Sequence, residues 1–451
     1  MIIIMNINVL IFLFGVLASV GQAQTPLAFS LNEALTYAVV HSPNVLNTQL
    51  DERIAKARTR EITGLGFPQI NGSIDFKDYL DLPTSLLPGD FFGRPGQYVP
   101  VRFGTKYNAT AGFSFSQLLF SGEYIAGLQA SKAFQELSKI NTQRSMLELE
   151  IAVTKAYYTV LVNAYRLKTF NANILRLQKI LNDTRAYAEQ GFAERIDAKR
   201  IEVQYNNVLA EHDKVQRLMQ LSVELLKFQM GFPIRDSVIL KDSLNRFKIG
   251  ASEVGALNID QRPDINALNA QKQLQELDVR RLRLGYLPSI AAYGAYQTNA
   301  QREDFTFFEF DKNNPQKQWY TISLIGLSIN MPIFDGLQRH QKISQAQLNL
   351  QKVKNAQFLL EQAAQLELKS ALVQFENARR SLTTQEQNIA LAEEVFEVSQ
   401  KKFNNGLGNN LELVNAETSL KEAQNNYFNA LYDYLIARTD IQKSTGISTL
   451  K

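Results

Sequence analysis

For chemistry the chain offers 44 carboxylates, three histidines and no cysteine among its 451 residues. His41, His212 and His340 are scattered, with no HExxH motif, no paired spacing and no triad-like neighbourhood, so neither a metal centre nor an acid–base site is laid out. The absence of cysteine excludes disulfides, thiolate metal sites and an acylated N-terminal cysteine, and it suits an oxidising compartment. The short runs GLG and NNG cannot cradle phosphate without a preceding strand, and Gly406 follows a helical stretch. No enzyme and no cofactor is expected. One spacing stands out instead. Gly191 and Gly406 are each followed by an acid six positions on, Asp197 and Glu412, and by another eleven on, Glu202 and Glu417, every pair being 215 apart. An acid just past a helix-ending glycine is, from the residues alone, a solvated carboxylate at the positive end of the next helix.

The duplication extends well beyond these acids. HSPNVLNTQL at position 41 resembles QRPDINALNA at 261, and GLGFPQINGSI at 64 resembles RLGYLPSIAAY at 283. QLLFSGEYIAGLQASKA at 117 resembles MPIFDGLQRHQKISQAQ at 331, and Met230-Gly231 and Thr445-Gly446 close the two copies. A fixed offset kept over this length is an internal repeat.

Each copy has the same anatomy. SLNE, from Ser30 to Glu33, is a capping box opening a helix that is interrupted near Pro43 and resumes to about Gly64. The period then changes to two. Ile70, Ile74 and Phe76 alternate with Gln69, Asn71, Ser73 and Asp75, and Tyr107, Ala109, Ala111, Phe113 and Phe115 alternate with polar neighbours. Such alternation predicts strands with one apolar and one polar face, repeated near 287–300 and 319–331. Very long helices are expected over 124–188 and 338–403, each on the order of 100 Å at 1.5 Å per residue. Val153, Val160, Leu167, Ile174 and Leu181 stand seven apart, as do Leu368, Phe375, Leu382, Ile389 and Phe396, the seam of left-handed coiled packing. Ala416, Ala423, Ala430 and Ala437 add a small-residue heptad on the returning helix. The segment around Gly406 is thus read as the tip of a helical hairpin, with the glycine in the left-handed conformation.

At the N-terminus Val9 to Val20 is an apolar run too short to span a bilayer as a helix, ending in VGQAQ. A signal peptide over 1–23, cleaved after Ala23, is expected; the lack of Lys or Arg before the run keeps an uncleaved anchor as the alternative. The 48 basic and 44 acidic residues are mixed along the chain, so nucleic acid is not an expected partner. Four strands with one apolar face suit an outer-membrane β-barrel, yet four cannot close, and open edges are not tolerated in lipid. Several chains must share one barrel.

These residues resemble the TolC-like outer membrane efflux proteins. The resemblance rests on SLNEALTYAVVHSPNV, RPDINALNAQ, the strand entrances at Pro68 and Pro288, LLFSG and PIFDG, and both glycine tips, in duplicated order. It implies an α+β membrane protein: a homotrimer whose four strands per chain complete a twelve-stranded β-barrel, continued by long antiparallel helical hairpins forming an α-barrel. It divides the chain into the signal peptide, a first repeat over 24–231, a connecting equatorial segment over 232–255 and a second repeat over 256–451. It implies an outer-membrane exit duct with a long periplasmic extension, joined by a periplasmic adaptor to an inner-membrane RND or ABC transporter. Drug efflux and type I protein secretion both remain open, and a periplasmic coiled-coil scaffold is the reading without a channel. The resemblance assigns Asp197, Phe403, Glu412 and Asn415 to the periplasmic gate. Asn415 stands where the family's type member has a second acid, Phe403 where it has a latch tyrosine, and Gly408 where it has a latch arginine. Gly191, Phe192, Gly406 and Leu407 are the expected adaptor-binding tips. Trp319 and Tyr320, beside the aromatic run at 304–310, suit either a membrane-interface girdle or packing within a loop.

Overall fold

The computed structural model describes residues 27–244 and 259–448. The expected signal peptide and part of the connecting segment lie outside the described residues. In chain order the elements are β1 (Leu27–Phe29), α1 (Leu31–His41), α2 (Pro43–Gly64), β2 (Gln69–Asp78), β3 (Thr84–Pro88), β4 (Tyr98–Arg102) and β5 (Tyr107–Phe120). They continue with α3 (Gly122–Glu189), α4 (Arg195–Met230), β6 (Val238–Leu240), α5 (Pro263–Leu284), β7 (Ser289–Arg302), β8 (Tyr320–Asn330), α6 (Gln338–Asn404) and α7 (Asn410–Thr445). Two compact units result, each drawing on both sequence repeats. One takes the chain up to Leu46, Ser145–Ile259 and Gln365 onward; the other takes Asn47–Arg144 and Asp260–Ala364.

The first unit is helical. Its α1 opens with the expected reciprocal box, Ser30 Oγ accepting from Glu33 N and a Glu33 carboxylate oxygen accepting from Ser30 N. Lys241 also binds Glu33, and together these donors hold its carboxyl down to about 2. The heptad residues do what their spacing dictates: Val153, Val160, Leu181, Leu382 and Phe396 are buried in apolar cores, as are Ala416, Ala423, Ala430 and Ala437. A short parallel pair, Leu27–Phe29 with Val238–Leu240, is an addition the sequence did not announce. Asp242 secures it, one carboxylate oxygen accepting from Leu31 N at 2.8 Å and from the Tyr157 hydroxyl at 2.9 Å.

The second unit contains a four-stranded antiparallel sheet in the order β2-β5-β7-β8. Its strands are 10 to 14 residues long, the length a tilted strand needs to cross a bilayer. Register makes the sheet two-faced, because residues paired across a ladder project to the same side. One face carries Ile74 opposite Ala111, Gly72 opposite Phe113, and Phe113 opposite Tyr296. The other carries Asn71 opposite Ser114 and Asn108 opposite Gln301, with Asn299 Nδ2 donating to Asn108 Oδ1 at 2.7 Å and Thr110 Oγ1 at 2.9 Å. On β8 the alternation fails, since Ile322 and Leu324 lie on the polar face and Ile325 and Leu327 on the apolar one. The apolar face is open to its surroundings: Ile74 is 85% exposed and Ile325 81%. Gly294 makes room for an aromatic ring there, since a Cβ at that position would stand 2.2 Å from Phe115. Between β2 and β5 the chain also forms the separate hairpin β3–β4.

Candidate functional site

Both helical tips are built by the same local rule. Where α3 ends, Gly191 takes φ +82°, its N–H bonds to Ala188 O, and Phe192 N–H reaches back to Tyr187 O at 2.9 Å. Where α6 ends, Gly406 takes φ +70°, its N–H bonds to Phe403 O, and Leu407 N–H reaches Lys402 O at 2.9 Å. These are Schellman closures, satisfying carbonyls that a helix end leaves open. Such a motif usually folds its outermost apolar residue onto the helix. Here that residue is left out in the open: Phe192 is 80% exposed and Leu407 82%.

The tip acids sit on the first turns of the returning helices. Asp197 shares a capping box with Glu194, accepting from Glu194 N at 3.3 Å, and pairs with Arg200 at 3.3 Å. Glu412 N–H donates to the capping oxygen of Asn409 at 2.8 Å, and its carboxylate pairs with Lys402 Nζ at 3.1 Å across the turn. Each acid therefore has a helix dipole and a basic partner. Glu412 and the exposed Asn415 line one groove between α6 and α7, together with Val395, Ser399, Asn409 and Ser419.

Phe403 is a packing residue. It joins the apolar cluster of the tips and meets Tyr187 edge-on, ring centroids 6.5 Å apart. At Gly408 the turn is tight, because an added Cβ would lie 3.0 Å from Lys402 Cβ. Phe403 thus contributes a ring contact, and Gly408, which has no side chain, lets the backbone pass close to Lys402.

Sequence reasoning missed a buried polar seam on α7. Asn410, Glu417 and Gln424 stand seven apart and are all buried. Asn410 Nδ2 donates to Asp197 O at 3.0 Å, Arg176 Nη2 donates to Glu417 Oε1 at 3.2 Å, and Asn173 Nδ2 donates to Gln424 Oε1 at 2.7 Å. The Arg176 guanidinium also bonds Asn173 Oδ1 and stacks over Phe396, 4.5 Å from its ring centre. Burial pushes the Glu417 carboxyl up, against the opposing pull of Arg176 and Lys421. The heptad spacing of the three polar residues was the available signal.

Among the described residues no group of three or more His, Cys, Asp or Glu side chains is placed to hold a metal ion, and no helix is long and apolar enough to cross a membrane. A two-faced sheet of bilayer-length strands has the pattern of transmembrane β-barrel strands. Comparison with known proteins gives similarities that point the same way. Residues 256–447 match the family model described as outer membrane efflux protein. The outer membrane protein TolC of Salmonella enteritidis is 22% identical over 361 residues, spanning 76% of this chain and 70% of that protein. The alkaline protease secretion protein AprF of Pseudomonas aeruginosa is 20% identical over 342 residues, spanning 74% and 69%. The crystal structure of VceC from Vibrio cholerae superposes with a TM-score of 0.72 at 16% identity, over 92% of this chain and 96% of that one. In sequence over residues 256–447, and in fold over most of its length, the chain is similar to TolC-like outer membrane efflux proteins, and that similarity supports the outer membrane as its place.

Proposed function

We propose that three copies of this chain close one twelve-stranded barrel and act as the passive exit duct of a tripartite efflux pump, fed by an inner-membrane transporter through a periplasmic adaptor. One observation carries the reading: the sheet β2-β5-β7-β8 has bilayer-length strands, one apolar face open to its surroundings, and unpaired edges at β2 and β8. In lipid those edges must pair, and a second copy's β2 is the natural partner for β8. The polar face, with its Asn, Ser, Thr and Gln side chains, would line the lumen, and the duct itself would catalyse nothing. The exposed Phe192 and Leu407 support tips that dock an adaptor.

Native mass spectrometry in mild detergent should give a particle of three chains, and planar bilayers should show conductance. A stable, non-conducting monomer would sink the reading. AprF, by its name, serves secretion of a protease, which favours a second reading as the outer channel of a type I secretion system. Deleting the gene separates the two: sensitivity to dyes and detergents marks efflux, and loss of a protein from the culture medium marks secretion.

A further inference from the structure

The segment between β7 and β8, residues 303–319, does not stand free above the strand ends. Phe307 is buried against Ala109 and Ala300, with Tyr107 and Trp319 packed beside them. Phe305 and Phe307 both meet Phe76 edge-on, with centroids 5.5 and 5.4 Å away, and Phe305 meets Tyr107 at 6.0 Å. Register decides which side of the sheet this is. Phe76 pairs with Ala109, Ala109 with Ala300, and Tyr107 with Arg302. All five side chains therefore lie on the face that carries Ile74, Phe113 and Ile325. Arg302 fastens the segment there: it is buried, its Nη1 donates to the carbonyls of Gln316 and Gln318, and its guanidinium lies over the Phe307 ring. The segment has folded onto the apolar face, away from the polar one.

We infer that residues 303–319 form an outward collar seated in the outer-leaflet interface of the bilayer, not a lid over the exit. The inference rests on the barrel reading above, in which the apolar face meets lipid. A loop packed on that face is continuous with the lipid-contacting surface and lies beside it at the strands' outer ends. Its remaining aromatics suit that place: Phe308 is 94% exposed, Phe310 64% and Phe305 60%, and they are interleaved with Asp304, Glu309, Asp311 and Lys312. Aromatic rings among charged groups are what the membrane–water interface favours, the ring entering the acyl boundary while the charges stay with headgroups and water. An apolar ring left in the aqueous exit would gain nothing from such exposure.

Trp319 is the only tryptophan of the chain, which makes the test clean. In a Trp319→Phe background, Phe308→Trp reports on the collar and Ile325→Trp on the sheet face, each in the full-length protein reconstituted into phospholipid vesicles. The expected result is that Phe308→Trp emits blue-shifted light, loses most of it to lipids brominated near the headgroup end of the acyl chain, and is untouched by aqueous iodide. Ile325→Trp should be quenched by lipids brominated deeper. If Ile325→Trp is quenched by lipid while Phe308→Trp responds only to iodide, the collar is wrong and the barrel stands. If Phe308→Trp escapes both quenchers, it is buried against protein and the collar is equally overturned. If Ile325→Trp itself escapes brominated lipid, the barrel reading falls and the collar with it.

Discussion

Arg176 Nη2 lies 3.2 Å from both carboxylate oxygens of Glu417 but makes a hydrogen bond to only one, leaving Oε2 buried and without a hydrogen bond. The pair ties α3 of the first hairpin to α7 of the second. Removing one partner of such a pair leaves the other charge uncompensated. Arg176→Ala, which strands the deeply buried carboxylate, should therefore destabilise by about 3 kcal/mol, whereas Glu417→Gln should cost less, because Arg176 is a quarter exposed, keeps its bond to Asn173 and finds an acceptor in the amide. The pH dependence has a definite sign. Because burial raises the Glu417 carboxyl in the packed state, its contribution is fully present below the ordinary carboxylate range and declines as pH rises through the raised value. Thermal unfolding in detergent across mildly acidic pH should show this decline in the parent and not in Glu417→Gln. Identical profiles for the two proteins would mean that Glu417 does not titrate in this range.

Two left-handed glycines separate backbone strain from crowding. Gly406 has φ +70° with nothing within 4 Å of an added Cβ, whereas Gly231 has φ +68° and a Cβ there would stand 2.6 Å from His41 O. Gly406→Ala meets only the left-handed penalty, about 1 kcal/mol. Gly231→Ala must also displace the backbone where α1 meets α2, so it should cost roughly twice that or more. Comparing the two melting temperatures checks the order, and a larger loss at Gly406 would contradict it.

Much of this was legible in the sequence because the long elements carry strict periods. The heptads from Val153 to Leu181 and from Leu368 to Phe396, the SLNE box and the alternation in β2 and β5 all express one local rule repeated many times. The failures were elements too short or too irregular to show a period. β1 and β6 have three residues each and pair across more than 200 positions. TSLLP and YVPVR, which form the β3–β4 hairpin, do not alternate. The Lys402–Glu412 pair depends on how one turn folds back, and no spacing rule announces it. The direction taken by residues 303–319 was equally hidden, since it follows from which face Ala109 and Ala300 share.

At the tips, the exposed Phe192 and Leu407 should act in docking and not in folding. Neither side chain contributes to a core, so charged replacements should leave expression, trimer yield and membrane insertion unchanged. The double variant Phe192→Asp, Leu407→Asp should nevertheless lose export, because a charge at the centre of an apolar contact opposes burial. Export is read as accumulation of a fluorescent dye in cells. Full export by the double variant would reduce the tips to simple helix caps.

The entrance is where the ion pairing of Glu412 matters most. If α7 presents this acid to the lumen, three copies place three Lys402–Glu412 pairs around the opening, and each lysine screens the carboxylate 3.1 Å away. A paired ring attracts cations less than a bare one, since the field of a closely held ion pair falls off faster than that of a single charge. Weak cation selectivity is therefore expected in the parent. Lys402→Gln should strengthen it by unmasking the carboxylates, and Glu412→Gln should reverse it towards anions by leaving the lysines alone. Both shifts should shrink as ionic strength rises, because the pair is half exposed and salt screens it. Reversal potentials in planar bilayers under a salt gradient measure all three proteins. If both substitutions leave the reversal potential unchanged at low salt, the pair lies on the outer face of the hairpins and not in the path of the ions.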